Sequence, residues 1–347
     1  MTKVLIGMVF FIMLAVPAEA VELSAPEVPM SAWERMPQNT DSFGAGCREL
    51  LHNSILLVQP ELKAAMEVSV GILFAVVLFS LLPMVTEKSN MLVSIAGAAV
   101  LASEMLQCTN SMIGYASDAV WEICEYGKLL CPVMTTALAA QGGITASAAL
   151  YTGTIAFITC LSTLVSRVFI PMLYVFLVFS ISHCALGEGF LKTFADTLKN
   201  TLSWLLKTIL IIFTSYMSIS GVVSGTADTA VLKAAKATIS SVVPVVGGIL
   251  SDASESVLVS MGVMKNAAGI YGILAALAVF IGPFIKVGVQ YLFLKMTAAI
   301  CSVFGNKRIV ALVGDFSAAM GLLLAMVASG CVMVLVSTVC FMKGIGG

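Results

Sequence analysis

The chain has 347 residues, of which 59% are hydrophobic and only 11% are charged, and its formal net charge is −1. Soluble domains carry about 25% charged residues, so this composition excludes an ordinary soluble domain and is typical of a polytopic α-helical membrane protein. The near-zero net charge, without interleaved aromatic and basic residues, argues against a nucleic-acid partner and leaves the lipid bilayer as the expected surroundings.

The N-terminus has the pattern of an export signal. Lys3 precedes the apolar core "VLIGMVFFIMLAV", and "AEA" ends at Ala20 with small residues at the positions that signal peptidase requires. We predict a signal peptide over residues 1–20; the alternative is an uncleaved membrane anchor. Residues 21–67 are then extracytoplasmic, with an acidic stalk followed by an amphipathic helix, "CRELLHNSILLVQPELKAAM", lying on the membrane surface.

Apolar runs separated by polar breaks predict about eight transmembrane helices. The third and fourth form a tight hairpin at Ser166-Arg167, and Pro283 separates the sixth from the seventh because proline interrupts helical hydrogen bonding. The predicted spans are 68–85, 91–108, 146–165, 168–186, 203–223, 267–281, 283–304 and 317–341.

Two long segments between spans are neither polar nor continuously apolar. One, "MIGYASDAVWEICEYGKLLCPVMTTALAAQGG", contains Pro132; the other, "GTADTAVLKAAKATISSVVPVVGGILSDASES", contains Pro244 and then Gly247-Gly248. Proline removes a backbone donor and a glycine pair permits a tight reversal, so we predict two proline-broken re-entrant segments. The alternative for the second segment is an amphipathic surface helix.

The same prolines indicate an internal duplication. Pro132 and Pro244 are 112 residues apart, as are Pro171 and Pro283. We predict a first span at 68–90, repeats at 91–202 and 203–316, and a final span with the C-terminus at 317–347. Each repeat holds three spans plus one proline segment, and an odd number of crossings would make the repeats inverted.

No catalytic motif is present: the chain has no phosphate-binding glycine loop, no HExxH and no nucleophile elbow. We therefore expect neither an enzyme nor a cofactor, and two histidines are too few for a His-rich metal site. The nine cysteines lack ligand spacing, although Cys108, Cys124 and Cys131 are close enough in sequence for a disulfide to be considered.

Polar side chains within apolar runs are the remaining functional candidates, because charge in hydrocarbon is costly. Glu104 is either a pore or relay carboxylate or a residue at headgroup depth. Lys286 either extends to the interface or pairs with Glu104, Asp252 or Glu255. Asp252 and Glu255 share a helical face and either point into an aqueous vestibule or form a solvated acidic surface.

A further helix, "GFLKTFADTLKNTLSW", leads into the fifth span. We predict that Phe190, Phe194, Leu198 and Leu202 form one apolar stripe, and that Trp204 lies at headgroup depth.

The stretch "SGTADTAVLKAAKATISSVVPVVGGILSDASESVLVS", continuing to "VMKNAAGIYG", resembles the signature region of the stage III sporulation protein AE family of endospore-forming bacteria. The resemblance implies a multi-pass protein of the mother-cell membrane around the forespore, the outer forespore membrane. It implies partners from the same operon, including a secretion-type ATPase and ring-forming subunits, and a forespore-membrane partner that completes a channel-like complex. The resemblance further implies that this complex keeps the forespore transcriptionally active late in development.

Two alternatives of other classes remain. A self-contained secondary transporter should need Asp252, Glu255 or Glu104 and tolerate loss of its partners. A membrane scaffold for partner proteins should tolerate neutralisation of all three acids. A channel component should instead require its partners.

Overall fold

The structure, a computed structural model, describes residues 26, 28–37, 43–56, 58–85, 90–242, 247–304 and 307–343. Within these ranges, only the backbone is described at residues 31, 80–85, 90–94, 221–242, 247–267 and 304. The described elements are helices, as the composition predicts. They are α1 (Met30–Trp33), α2 (Phe43–Ile55), α3 (Val58–Val85), α4 (Asn90–Ala140), α5 (Ile144–Leu164), a π-helical turn (Val165–Phe169), α6 (Ile170–Leu186), α7 (Gly189–Val242), α8 (Gly247–Phe304) and α9 (Lys307–Lys343).

Within the described ranges, five helical stretches are long and apolar enough to cross a membrane. They are Val58–Phe79, Ile144–Leu186, Gly189–Ser220, Ala268–Val303 and Lys307–Lys343. The chain is thus an all-helical protein with several candidate membrane crossings. The predicted signal peptide lies outside the described residues.

The predicted hairpin at Ser166-Arg167 is wrong. The chain continues straight from α5 through the π-helical turn into α6, and the Ile170 N–H donates to the Val165 carbonyl. Pro171, which has no N–H, follows at the start of α6. A π-helical turn shifts the hydrogen-bonding register by one residue, so it accommodates the proline without reversing the chain.

Two predicted proline breaks are also wrong. Pro132 lies inside the 51-residue helix α4, and Pro283 lies inside the 58-residue helix α8. Neighbouring helices hold both segments in place, as the complete burial of Met134 and Val287 shows. Packing of this kind offsets the roughly 3 kcal/mol that an interior proline costs. Residues 267–281 and 283–304 therefore belong to one helix, and Pro132 marks no re-entrant segment.

The continuous α5–α6 segment packs antiparallel to α4 and to α7, and α9 packs antiparallel to α8, which gives an up-and-down bundle. The hydroxyl of Tyr174 in α6 donates to Asn110 in α4, and the hydroxyl of Tyr216 in α7 donates to the Ala149 carbonyl in α5 at 3.1 Å. At the other side of the bundle, the hydroxyl of Ser317 in α9 donates to the Tyr291 carbonyl in α8 at 3.4 Å.

These contacts correct the predicted inversion. Asn110 and Gly127 of α4 lie against Tyr174 and Ile158, and Phe194 and Phe213 of α7 lie against Phe179 and Phe157. Helices α4 and α7 therefore both run antiparallel to the α5–α6 segment and in the same direction as each other. They begin the two proposed repeats, which an inverted repeat would orient in opposite directions. The duplication of 91–202 in 203–316 itself stays a prediction.

Candidate functional site

A partly buried ion pair connects α7 to α9. The Lys192 ammonium lies 2.9 Å from Oδ1 and 3.1 Å from Oδ2 of Asp315, whose side chain is only 7% exposed. Asp196 extends the cluster, with Oδ1 at 3.4 Å from Lys192 and 3.0 Å from Lys199. The two cations and two carboxylates balance, which is the condition under which buried charge is tolerated. We call the Lys192–Asp315 pair the α7–α9 tie.

The turn before α7 sets the position of Lys192. Gly187 has a φ of 79°, the left-handed conformation that ends many helices, and its N–H donates to the His183 carbonyl. The Arg308 guanidinium lies directly against Gly187, so a Cβ there would be 2.1 Å from its Cζ. The left-handed backbone conformation therefore favours glycine, and Lys192 follows in the first turns of α7.

A second ion pair connects α3 to α8. The Lys286 ammonium lies 3.5 Å from Oε1 of Glu61 and 4.8 Å from the ring centroid of Tyr115 in α4. The side chains of Lys286 and Glu61 are 33% and 27% exposed. We call this pair the α3–α8 tie. It joins three helices through one cation, which contacts a carboxylate and the face of an aromatic ring.

The segment around α1 packs beside the α3–α8 tie. Val28 and Ala32 are buried in the core, and the Arg35 guanidinium lies against Gly282, where a Cβ would be 2.2 Å from Nη1. Burial lowers the pKa of Arg35, while Tyr115, Glu122 and Glu34 act in the opposite direction. The N-terminal segment is thereby anchored onto α8 at the residue before Pro283.

The structure separates the predicted site residues on α4 from Lys286. Glu104 is exposed beside Gly71 of α3, and it lies 11 residues before Tyr115, so the two are about 16 Å apart along the helix. Lys286 pairs with Glu61 instead. Pro132 is exposed within α4, on the far side of Tyr115 from Glu104.

The predicted site in the second proline segment is described only in part. Pro244 lies outside the described residues. Gly247 and Gly248 begin α8. Asp252 and Glu255 follow in the same helix, where the structure describes the backbone and not the side chains. The predicted vestibule therefore stays a prediction.

Asp315 is the main residue that sequence reasoning missed. It is a single acid within the otherwise apolar run "RIVALVGDFSAAMGLLLAMV", and that isolation was the available signal. Its partner lies 123 residues away in sequence, and no local pattern connects the two. Cys108, Cys124 and Cys131 are free thiols, so the disulfide considered above does not form.

Long apolar helices that pack around paired charges define the class: this is a multi-pass membrane protein. The family profile of stage III sporulation protein AE matches residues 38–344, and the chain belongs to this family. The match confirms the resemblance seen in the sequence.

One relative is stage III sporulation protein AE of Bacillus subtilis (strain 168), which is 24% identical over 198 residues. The alignment covers 57% of this chain and 50% of the relative, so the chain matches about half the length of that protein. No solved structure matches the chain.

Proposed function

We propose that this protein is an integral membrane component of a trans-envelope channel or secretion complex that links mother cell and forespore during sporulation. The observation that carries the proposal is the family match over residues 38–344 in a chain built largely of apolar helices. In this proposal the protein resides in the outer forespore membrane, and its complex is needed for late forespore gene expression. Residues 1–20 act as the export signal that starts membrane insertion.

The chain contributes a conduit or gate, and its partners contribute the energy. It has no glycine-rich phosphate-binding loop, so ATP hydrolysis falls to the proposed ATPase partner. Ring-forming subunits and a forespore-membrane protein complete the path.

Within the bundle, the two ties are the candidate control points. Sliding of α7 against α9 would separate Lys192 from Asp315, and movement of α3 against α8 would separate Glu61 from Lys286. Opening therefore requires either solvation or a new partner for each charge, because unpaired buried charge is strongly unfavourable. Thus the ties hold one arrangement of the helices and resist partial displacement.

The test uses an endospore-forming strain that lacks its own copy of this protein. We expect the full chain to restore heat-resistant spores and a late forespore transcriptional reporter. Lys192→Met, which breaks the α7–α9 tie, should reduce both. Lys199→Met is the matched control on the same helix, since Lys199 contacts Asp196 and leaves the α7–α9 tie in place.

Two results would overturn the proposal. One is full reporter activity in the strain without the protein. The other is normal function of the chain after removal of the ATPase and ring subunits, which would favour a self-contained transporter. If the protein is only a scaffold, Lys192→Met should keep full reporter activity when its amount in the membrane, measured by immunoblot, equals that of the wild type.

A further inference from the structure

Two buried polar side chains lie close to the α3–α8 tie and are not used by it. Ser69 in α3 and Gln290 in α8 are each 5% exposed. Within the described part of the chain, neither the Ser69 hydroxyl nor Nε2 of Gln290 has a hydrogen-bond partner. Buried polar groups in proteins are almost always hydrogen-bonded, to protein or to water, so these two atoms require an explanation.

Contacts between side chains and glycines set the direction of α3 against α4. The Glu104 carboxylate of α4 lies beside Gly71 of α3, and the Phe79 ring of α3 lies beside Gly97 of α4. The later residue of one helix thus meets the earlier residue of the other. Helices α3 and α4 therefore run antiparallel.

Two further contacts set the direction of α8. Leu130 of α4 lies against Gly272 of α8, and the Tyr115 ring of α4 lies against the Lys286 ammonium of α8. Helix α8 is therefore antiparallel to α4 as well. It follows that α3 and α8 run in the same direction, side by side.

The α3–α8 tie fixes the register of this parallel pair, because Glu61 faces Lys286 at 3.5 Å. Gln290 lies one turn after Lys286 on the same face of α8. The residue opposite it on α3 is Ala65, which is 1% exposed and offers no polar side-chain group. Ser69 follows one turn later, about 6 Å further along the helix axis than Gln290.

The position of Ser69 on its helix shows which neighbour it faces. Gly71 faces α4, and two residues on a helix are about 200° apart around the axis, so Ser69 points away from α4. Helix α3 packs mainly against α4 and α8. The buried Ser69 side chain therefore faces α8. We call Glu61, Lys286, Gln290 and Ser69 the α3–α8 seam.

The seam lies inside two candidate membrane crossings, Val58–Phe79 and Ala268–Val303. Polar side chains in such segments usually face the bundle interior or a water-filled cavity, and they mark the paths of hydrophilic species. Lys286 and Glu61 at one end of the seam are partly exposed, whereas Gln290 and Ser69 beyond them are buried. The seam thus leads from a solvated end into the bundle.

We infer that water and small solutes that accept hydrogen bonds enter the bundle along the α3–α8 seam, with the entrance at the α3–α8 tie. The Gln290 amide and the Ser69 hydroxyl donate hydrogen bonds to them, which satisfies both buried groups. The Lys286 ammonium and the Glu61 carboxylate flank the entrance. The inference rests on these contacts and does not depend on the sporulation role.

Cysteine labelling of the full chain in vesicles of phosphatidylcholine and phosphatidylglycerol tests the path. Ser69→Cys and Ile72→Cys each carry one thiol, with the native cysteines replaced by alanine. The probe is 2-sulfonatoethyl methanethiosulfonate, a small anion that does not cross lipid, present on both sides. Ser69→Cys should react at least about tenfold faster, because the thiolate is the reacting species and apolar surroundings suppress it.

Ile72 is a strict control, since it is 0% exposed and lies one turn beyond Ser69. Its replacement by cysteine also vacates more volume than Ser69→Cys, so a cavity made by the substitution would favour labelling at position 72. Labelling of Ser69→Cys no faster than that of Ile72→Cys would overturn the inference.

The entrance is tested by adding a second substitution to Ser69→Cys. Glu61→Gln weakens the tie and should raise the labelling rate about twofold, as expected for the loss of a partly exposed ion pair. Glu104→Gln is the matched control, because Glu104 lies beside Gly71 on the opposite side of α3 and should leave the rate unchanged. Equal rates for the two double variants would show that the tie is not the entrance.

A stability measurement on the chain with its native cysteines tests whether Gln290 is hydrated. Gln290→Met keeps a similar shape and removes the donor, so a hydrated seam predicts a Tm lower by about 2–4 °C. Leu294→Met, one turn further along α8, is the apolar control. A dry seam predicts the opposite, because replacing an unsatisfied buried group by an apolar one is stabilising. An unchanged or raised Tm for Gln290→Met would therefore contradict the inference.

Discussion

The α7–α9 tie and the α3–α8 tie use the same chemistry in different surroundings. The two cations are similarly exposed, Lys192 at 31% and Lys286 at 33%. The carboxylates differ: the side chain of Asp315 on the central helix α9 is 7% exposed, whereas that of Glu61 near the start of α3 is 27% exposed. Water can solvate the second pair when it opens, but it cannot easily reach Asp315. An ion pair contributes most to stability when separating its two charges would leave one of them buried without water or a counter-charge.

The largest expected effect follows from Lys192→Met, which leaves the Asp315 carboxylate buried without its cation. We expect the free energy of unfolding to fall by about 3–5 kcal/mol. Thermal unfolding of the detergent-solubilised protein measures it. Lys199→Met, which removes a cation from the exposed part of the cluster, should cost at most about 1 kcal/mol. Equal losses for the two variants would show that leaving the buried Asp315 carboxylate without its cation carries no special cost.

Asp315→Asn should cost less than Lys192→Met, about 1–3 kcal/mol, because Lys192 keeps Asp196 nearby and reaches solvent. The Lys192→Met/Asp315→Asn double variant should be more stable than Lys192→Met alone, since it no longer buries an unpaired charge. The same unfolding measurement completes the double-mutant cycle. Additive losses would contradict direct coupling.

Lys286→Met removes both the Glu61 contact and the cation over the Tyr115 ring. We expect a loss of about 1 kcal/mol, because both contacts are partly solvated. Lys295→Met is the control: Lys295 also lies over a tyrosine ring, that of Tyr291 in its own helix, but ties no second helix. A loss for Lys286→Met as large as that for Lys192→Met would contradict the comparison.

The smallest expected effect is that of salt. At about 1 M salt the screening length falls to about 3 Å, so the stability difference between wild type and Glu61→Gln should shrink. The difference between wild type and Lys192→Met should change little, because ions are excluded from Asp315. Unfolding curves at low and high salt check this. If both stability differences shrink equally at high salt, ions do reach Asp315.

Sequence patterns predicted well which segments form helices, but poorly where those helices end. The apolar runs identified where helices form, and "GFLKTFADTLKNTLSW" does form the start of α7. Within the predicted apolar stripe, Phe190 and Phe194 are exposed whereas Leu202 is buried, and Leu191 and Ala195 outside the stripe are buried as well. The spacing of apolar residues shows which of them share a face of the helix. Which face packs against the core depends on the positions of α6 and α9.

The sequence by itself determined the class and the family, because these depend on composition and on motifs within one segment. The tertiary structure decided that Pro132 and Pro283 lie within continuous helices, because neighbouring helices compensate for the missing hydrogen bond. It also decided the partners of Lys192 and Lys286, since each pair joins residues more than 100 positions apart. Contacts of that kind depend on the direction and register of whole helices, which no local pattern encodes.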